Sequence, residues 1–288
     1  MTSEASPGSR VLSVVVPAYN EGRTIRTVLE RVDALPCVHE IIVVDDGSRD
    51  DTARIVESFP SPRVRLIRQP SNQGKTAAVR RGVQEVTGPI TIIQDADLEY
   101  DPTEIPEVIA PILAGRADVV YGSRFLVRKA ARVLYFYHYL ANKGLTFLSN
   151  LLTNCNMTDI ETCYKAFRTP IIKHLPLSSR GFGMEVEITA MVARTRARIF
   201  EVPISYYGRT YEEGKKIGLR DGLHALWYIV RYSVLSRTSS RSRAYAREVD
   251  EWLRTVAPAA PGVSVPPGDP QENQAAAPAT HSGVLKRN

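Results

Sequence analysis

Between Val11 and Asp118, short apolar runs alternate with stretches whose apolar residues recur every three or four positions. "VLSVVV" is followed by Ile25, Val28, Leu29 and Val32 at helical spacing, and "EIIVVDD" by "RDDTARIVESF". "RVRLIRQ", "GKTAAVRRGVQEV" and "ITIIQD" continue the alternation, which ends in a helical face of Ile105, Val108, Ile109, Ile112 and Leu113. Strands apolar at successive positions, instead of at every second one, call for cover on both faces. Strands separated by helices of this length imply βαβ units, which predicts an α/β fold with a mostly parallel central sheet and helices on both faces.

The second half is less regular. "KAARVLYFYHYLANKGLTFLSNLL" reads as one or two helices apolar around most of their circumference, with Gly144 as a candidate break. "CYKAFR" and "RIFEVPISYY" read as strands and "GMEVEITAMVAR" as a helix. A last helix over about 221–235 carries Leu223, Leu226, Trp227, Val230 and Val234 on one stripe. After Val256 the chain is rich in Ala, Pro and Gly with hardly any large apolar side chain, a composition that cannot bury a core.

One strand poses a chemical question. In "PITIIQDADLEYDP" the run Ile90–Ile93 leads directly into Asp95, Asp97, Glu99 and Asp101. Ionised carboxylates are costly to desolvate unless a cation or hydrogen-bond donors meet them. The carboxyl end of a parallel strand is where open α/β sheets bind ligands, and Asp-x-Asp there suits a hard divalent ion held by oxygens together with substrate phosphates. The same segment also fits an acidic loop capping the next helix, because "DPTE" has the form of an N-cap with proline in the first turn.

At 288 residues and 43% hydrophobic the chain can bury a full core. Three cysteines with no CxxC pair exclude a disulfide framework and argue against a zinc site, consistent with a reduced, cytoplasmic setting. No signal-peptide pattern and no run of 18 uncharged apolar residues is present, so no membrane span is expected. The net charge of +6 invites an anionic partner. No acidic residue lies between Asp118 and Asp159, an interval that is also aromatic-rich, and a second basic stretch runs from Lys215 to Arg247. This pattern fits a membrane surface or a phosphorylated lipid better than nucleic acid.

Two nucleotide motifs fail. "QGKT" ends like a P-loop, but the spacing requires glycine where Gln69 stands, and no GxGxxG follows the first strand. The chain instead resembles the family-2 inverting glycosyltransferases of the GT-A fold, through "VVVPAYNEGRTI", "IIVVDDGSRDDT", "NQGKTAAVRRG", "DADLEYDP" and "YGSRF" in that order. Within that family it is most similar to polyprenyl-phosphate sugar transferases of the dolichol-phosphate mannose and glucose synthase type, through "NKGLTFLSNLL", "MTDIETCYKAFR", "GFGMEVEITA" and "EVPISYYGRTYEEGKKIG".

The resemblance implies a single GT-A catalytic domain over 11–240, with a nucleotide-binding half over 11–118 and an acceptor half over 119–240. A flexible N-terminus over 1–10, a basic helix over 241–255 and a disordered tail over 256–288 complete the expected organisation. It implies that Pro17, Tyr19, Asn20, Glu21, Asp46, Lys75, Asp95 and Ala96 bind the nucleotide sugar, and that Asp95, Asp97 and Glu99 hold Mg²⁺ or Mn²⁺. Arg124, Arg128, Arg132, Arg209, Lys215 and Lys216 are the expected acceptor-phosphate ligands, with Asp97, Asp159, Glu161 and Arg124 as catalytic candidates.

The expected reaction moves a hexose from UDP-glucose or GDP-mannose to a polyprenyl phosphate, with the enzyme peripheral at the inner membrane face. Many relatives carry transmembrane helices after this domain, so a separate membrane subunit is a candidate partner, as is a homo-oligomer. Three readings compete: a family-2 transferase acting on a glycan or small-molecule hydroxyl, a non-catalytic sugar-nucleotide-binding partner, and a nucleotidyltransferase, whose glycine-rich basic loop "PAYNEGRT" matches poorly. Neither tryptophan sits in the Gln-x-x-Arg-Trp motif of processive synthases.

Overall fold

The computed structural model describes residues 10–126, 135–179, 181–208 and 219–256. Its first half runs β1 (Leu12–Ala18), α1 (Ile25–Asp33), β2 (Val38–Asp45), α2 (Thr52–Glu57), β3 (Val64–Arg68), α3 (Lys75–Glu85), β4 (Ile90–Ile93) and α4 (Ile105–Leu113). The second half runs β5 (Val119–Ser123), α5 (Phe136–Thr153), β6 (Lys165–Arg168), α6 (Thr169–Lys173), α7 (Met184–Val192), β7 (Ile199–Pro203), α8 (Leu219–Ser233) and α9 (Ser240–Thr255).

The strands form one sheet in the order β3-β2-β1-β4-β6-β5-β7. All pairs are parallel except those of β6, which runs antiparallel to both β4 and β5. Alternation along each strand feeds two separate cores. Leu12, Val14 and Val16 pack with Val28 and Leu29 of α1 and Ile105 and Ile109 of α4. Val15, on the opposite face, packs with Val79 of α3, Ile188 of α7, Ile229 of α8 and Val249 of α9. Burial on both faces is why β1 is apolar except for Ser13, whose hydroxyl donates to Glu40 Oε1 at 2.7 Å, and all seven of its residues are buried.

Four details depart from the sequence pattern. Gly144 does not break α5, which runs unbroken for 18 residues; a helical glycine costs only about 1 kcal/mol, which packing against the chain outweighs. The strand β5 had no periodic signature of its own. The antiparallel direction of β6 is a property of the fold and leaves no mark on four residues of sequence. The apolar stripe of α8 exists, but Leu223, Leu226, Trp227, Val230 and Val234 are exposed, and the core side is formed by Ala225, Ile229 and Tyr232.

Because β1, β2 and β4 are parallel, the residues that follow them share one edge of the sheet. That edge carries the candidate site.

Candidate active site

The carboxyl ends of β1, β2 and β4 open into a cleft of about 310 Å³. Its walls are Pro17, Ala18, Tyr19 and Glu21 after β1, Asp46 after β2, Asn72, Gly74, Lys75 and Ala78 at the start of α3, and Asp95, Ala96 and Asp97 after β4. The cleft thus gathers every residue that the resemblance assigns to the nucleotide sugar except Asn20. Asn20 takes the left-handed conformation at φ 57°, which asparagine tolerates. Its amide donates to Ser48 Oγ and its Oδ1 accepts from the Arg49 amide at 2.8 Å, so it shapes the loop behind the wall.

Asp46 is the clamp of the opposite wall. Its carboxylate accepts from the amides of Gln73 at 2.8 Å and Gly74 at 2.7 Å and from Gln69 Nε2 at 3.0 Å. This holds the loop before α3 against the end of β2 and presents Asn72, Gly74 and Lys75 to the cleft.

Lys75 reaches across to the β4 end. Its ammonium lies 2.7 Å from Asp95 Oδ1 and 3.6 Å from Glu185 Oε1 of α7, and it donates to Cys163 Sγ at 2.9 Å. Burial by itself would depress the ammonium pKa, but the neighbouring Asp95, Cys163 and Glu185 outweigh burial and hold it well above the ordinary lysine value. Burial likewise opposes the Asp95 charge, and Lys75 overcomes it, holding the carboxyl below its usual range. Burial pushes the Cys163 thiol up, with Asp95 adding to the shift.

Beyond Asp97 the chain turns sharply at Leu98, a non-glycine residue at φ 62°. A left-handed leucine costs about 1–2 kcal/mol, and the turn allows the Glu99 amide to donate to Asp97 Oδ1 at 3.1 Å. Tyr206 donates to Glu99 Oε2 at 2.9 Å. Burial, with Glu99 adding to it, pushes the Tyr206 phenol well up, so it remains a donor. Asp101 does cap the following turn, accepting from the Thr103 amide, so the acidic run contains both a helix cap and the cleft carboxylates. Among the described residues no three His, Cys, Asp or Glu side chains gather into a metal cage. An all-oxygen set of one or two carboxylates completed by substrate phosphates is the usual environment of Mg²⁺, so Asp95 and Asp97 in the cleft wall fit such an ion without a preformed cage, and Glu99 stands in the turn beside Asp97, outside the cleft lining.

On the far side of Glu99 lies Arg124, directly after β5. It makes a bidentate pair with Asp159, from Nε to Oδ2 and from Nη2 to Oδ1 at 2.7 Å each, and its amide donates to Oδ2 at 3.1 Å. Asp159 is fully buried. The pair uses two of the five guanidinium N–H groups. Burial opposes the Arg124 charge and Asp159 restores it, holding the group well above its ordinary value. Glu201 of β7 accepts from the amides of Thr158 and Asp159 and so fixes the loop that carries Asp159. Glu161 has no hydrogen-bond partner for its buried Oε1 among the described residues. Burial and the neighbouring Glu185 push its carboxyl up to about 8. Arg128, Arg132, Arg209, Lys215 and Lys216 lie outside the described residues.

Sequence reasoning did not single out Asn72, Cys163, Glu185, Lys165 or Tyr206. A signal existed for Glu185: every residue of α7 is buried, including Glu185 and Glu187, and acidic residues in so apolar a helix demand partners. Glu187 finds the amides of Ser178 and Ser179, whereas Glu185 faces Lys75. Lys165 donates to the carbonyls of Ile160 and Thr162, bracing the loop that holds Glu161.

The pattern that describes glycosyl transferase family 2 matches residues 13–175, over half of the chain. The chain is similar to the dolichol-phosphate mannosyltransferase of Pyrococcus furiosus, 30% identical over 212 residues. That match covers 72% of this chain and 59% of the relative, so the chain spans about three fifths of that protein's length. The polyprenol monophosphomannose synthase of Mycolicibacterium smegmatis is 29% identical over 227 residues, 74% of this chain and 83% of that one. Glucosyl-3-phosphoglycerate synthase from Mycobacterium tuberculosis, solved with Mn²⁺, UDP and phosphoglyceric acid, superposes with a TM-score of 0.62 over 78% of this chain and 79% of its own, at 22% identity. The fold is therefore the GT-A arrangement that the motifs imply.

Proposed function

The chain belongs to glycosyl transferase family 2, and from that premise we propose that it transfers one hexose, with inversion, from a nucleoside-diphosphate sugar to a polyprenyl phosphate. The observation that carries the choice of acceptor is the Arg124–Asp159 pair. A hydroxyl acceptor must lose a proton during attack and calls for a free carboxylate base. Here Asp159 is tied to a guanidinium by two short bonds, and burial beside Glu185 pushes the Glu161 carboxyl up, toward its protonated form. A phosphate monoester needs no base, since its second pKa is about 6; it needs an oriented cation, and a guanidinium braced on one edge is one.

On this reading Tyr19, Asp46 and Lys75 line the nucleotide pocket, and Asp95, Asp97 and Glu99 would hold Mg²⁺ or Mn²⁺ against the diphosphate. A bound divalent ion supplies Lewis-acid neutralisation of the charge left on the departing diphosphate. Lys75 places a second positive charge beside Asp95, and Arg124 orients the attacking phosphate, which is already anionic.

The outer face of α5 supports a peripheral membrane location. The helix packs Leu145, Leu148 and Leu152 against the core beside the buried Thr146 and Ser149, and exposes Phe136, Tyr137, Leu140, Phe147 and Leu151 on the rest of its circumference, where a helix with water on its outer side would carry polar residues. No helix among the described residues is long and apolar enough to cross a membrane. A face of this kind suits a lipid surface on which the acceptor resides.

The test is an assay with Mn²⁺, labelled UDP-glucose and GDP-mannose in parallel, with and without polyprenyl phosphate in detergent. Label should enter the organic phase only with lipid, and Asp97→Ala should reduce the rate by about 10²–10³-fold. Transfer to 3-phosphoglycerate or a glycan in place of the lipid would replace the acceptor half of the proposal. Full activity in Asp97→Ala would sink the metal-assisted half.

A further inference from the structure

One side chain touches both sides of the site. The Tyr206 hydroxyl donates to Glu99 Oε2 at 2.9 Å, while the guanidinium carbon of Arg124 lies 5.1 Å from the centroid of its ring. Glu99 belongs to the turn that follows Asp97, on the donor side; Arg124 follows β5, on the acceptor side. The ring is fixed in register by two further contacts. The amide of the next residue, Tyr207, donates to the Glu99 carbonyl at 2.9 Å. The ring of Tyr100 lies 5.4 Å away and itself stacks on Tyr164 at 4.9 Å.

We propose that Tyr206 is a positioning residue that couples the two substrates: occupancy of the diphosphate site at Asp95, Asp97 and Glu99 is relayed through its hydroxyl and ring to Arg124, so that nucleotide and phosphate acceptor bind more tightly together than apart. This inference rests on the proposed function.

The physical link is the charge on Glu99. A phenol that donates to an anionic carboxylate is electron-rich, and its face holds a guanidinium more strongly. When the charge on Glu99 is shared with a bound cation, the O–H···O bond weakens, and the hold of the ring on Arg124 weakens with it. Asp159 still grips one edge of the guanidinium through two hydrogen bonds. The other N–H groups are then better able to turn to an incoming anion. A donor-loaded site thereby favours the acceptor, and thermodynamic linkage requires the acceptor to favour the donor equally.

The experiment is calorimetric titration of the full chain with UDP, and separately with GDP, each in Mn²⁺, in the presence and absence of undecaprenyl phosphate in detergent micelles. In the wild type the lipid phosphate should tighten one nucleotide by about five-fold or more, and that nucleotide should tighten the lipid phosphate by the same factor. Tyr206→Phe keeps the ring and its packing but removes the hydroxyl. By the same link, its affinity for the lipid phosphate alone should rise to that of the nucleotide-loaded wild type while the mutual tightening disappears, a change that a purely structural tyrosine would not produce. Mutual tightening that persists in Tyr206→Phe, or wild-type protein that binds both ligands independently, would overturn the coupling and leave the proposed function standing. Wild-type protein that binds nucleotide but not the lipid phosphate would overturn the acceptor assignment, and the coupling with it.

Discussion

Asp159 and Glu161 stand two residues apart and meet opposite surroundings: Asp159 has a guanidinium for a partner, Glu161 another carboxyl. The consequence for Glu161 can be followed through pH. Its carboxyl is raised from an ordinary 4.5 to about 8 in the folded protein. Between those values the unfolded chain has released a proton that the native state still binds, so stability falls as pH rises through the window. Glu161→Gln has no proton to release there. Relative to the wild type, the variant should therefore gain stability between pH 5.5 and pH 8.5, by about 1 kcal/mol or more. Urea denaturation of both proteins at the two pH values measures it, and a constant difference between them would show that Glu161 titrates normally. The same pair shows what the sequence reveals of the site and what it hides. "MTDIETCYKAFR" displays both acids, but which one meets Arg124 and which meets Glu185 depends on side-chain directions that no spacing encodes.

At the scale of elements, the cleft depends on how the loop before α3 rests on the end of β2. Gly47, the glycine of "DDGS", has φ +75°, and a Cβ added there would stand 2.8–2.9 Å from the backbone of Ser71 and Asn72. Gly47→Ala therefore meets both left-handed strain and a backbone clash. It should destabilise the protein by about 2 kcal/mol or more and weaken nucleotide binding by moving Asn72 and Gly74 in the cleft wall. A thermal melt together with a nucleotide titration checks both effects, and an unchanged affinity would mean that the loop is not set by this contact. This half of the fold was legible because its signals are local: apolar strands, helical periodicity and polar residues at strand ends. Parallel pairing then requires Tyr19, Asp46 and Asp95 to converge. Cys163 and Tyr206 were hidden for the opposite reason. Cys163 stands just before β6, which inserts antiparallel between β4 and β5, and Tyr206 follows β7 beyond them; strands of four or five residues carry no mark of their direction or neighbours.

At the scale of the whole molecule, α5 and α8 turn apolar side chains outward. Tyr137 is 81% exposed, Phe147 69%, Leu151 68% and Trp227 52%. Scattered exposed apolar residues are ordinary, but large aromatic and leucine side chains concentrated on two helices mark an interaction surface. The net charge of +6 adds attraction to anionic lipid, about 1 kcal/mol for each cation near the surface. The combined substitution Phe147→Asp, Leu151→Asp and Trp227→Asp removes apolar area that the fold itself does not use. It should leave the melting temperature nearly unchanged while reducing co-sedimentation with vesicles containing anionic lipid by about tenfold or more. Transfer to a short, water-soluble isoprenyl phosphate should persist, because the cleft and Arg124 are untouched. Added salt should weaken wild-type vesicle binding without abolishing it, since the apolar share of the energy is unscreened. If instead the wild type ignores vesicles and elutes as an oligomer that the substitutions dissociate, the face joins copies of the chain, and delivery of a lipid acceptor to Arg124 must depend on another surface or a membrane partner.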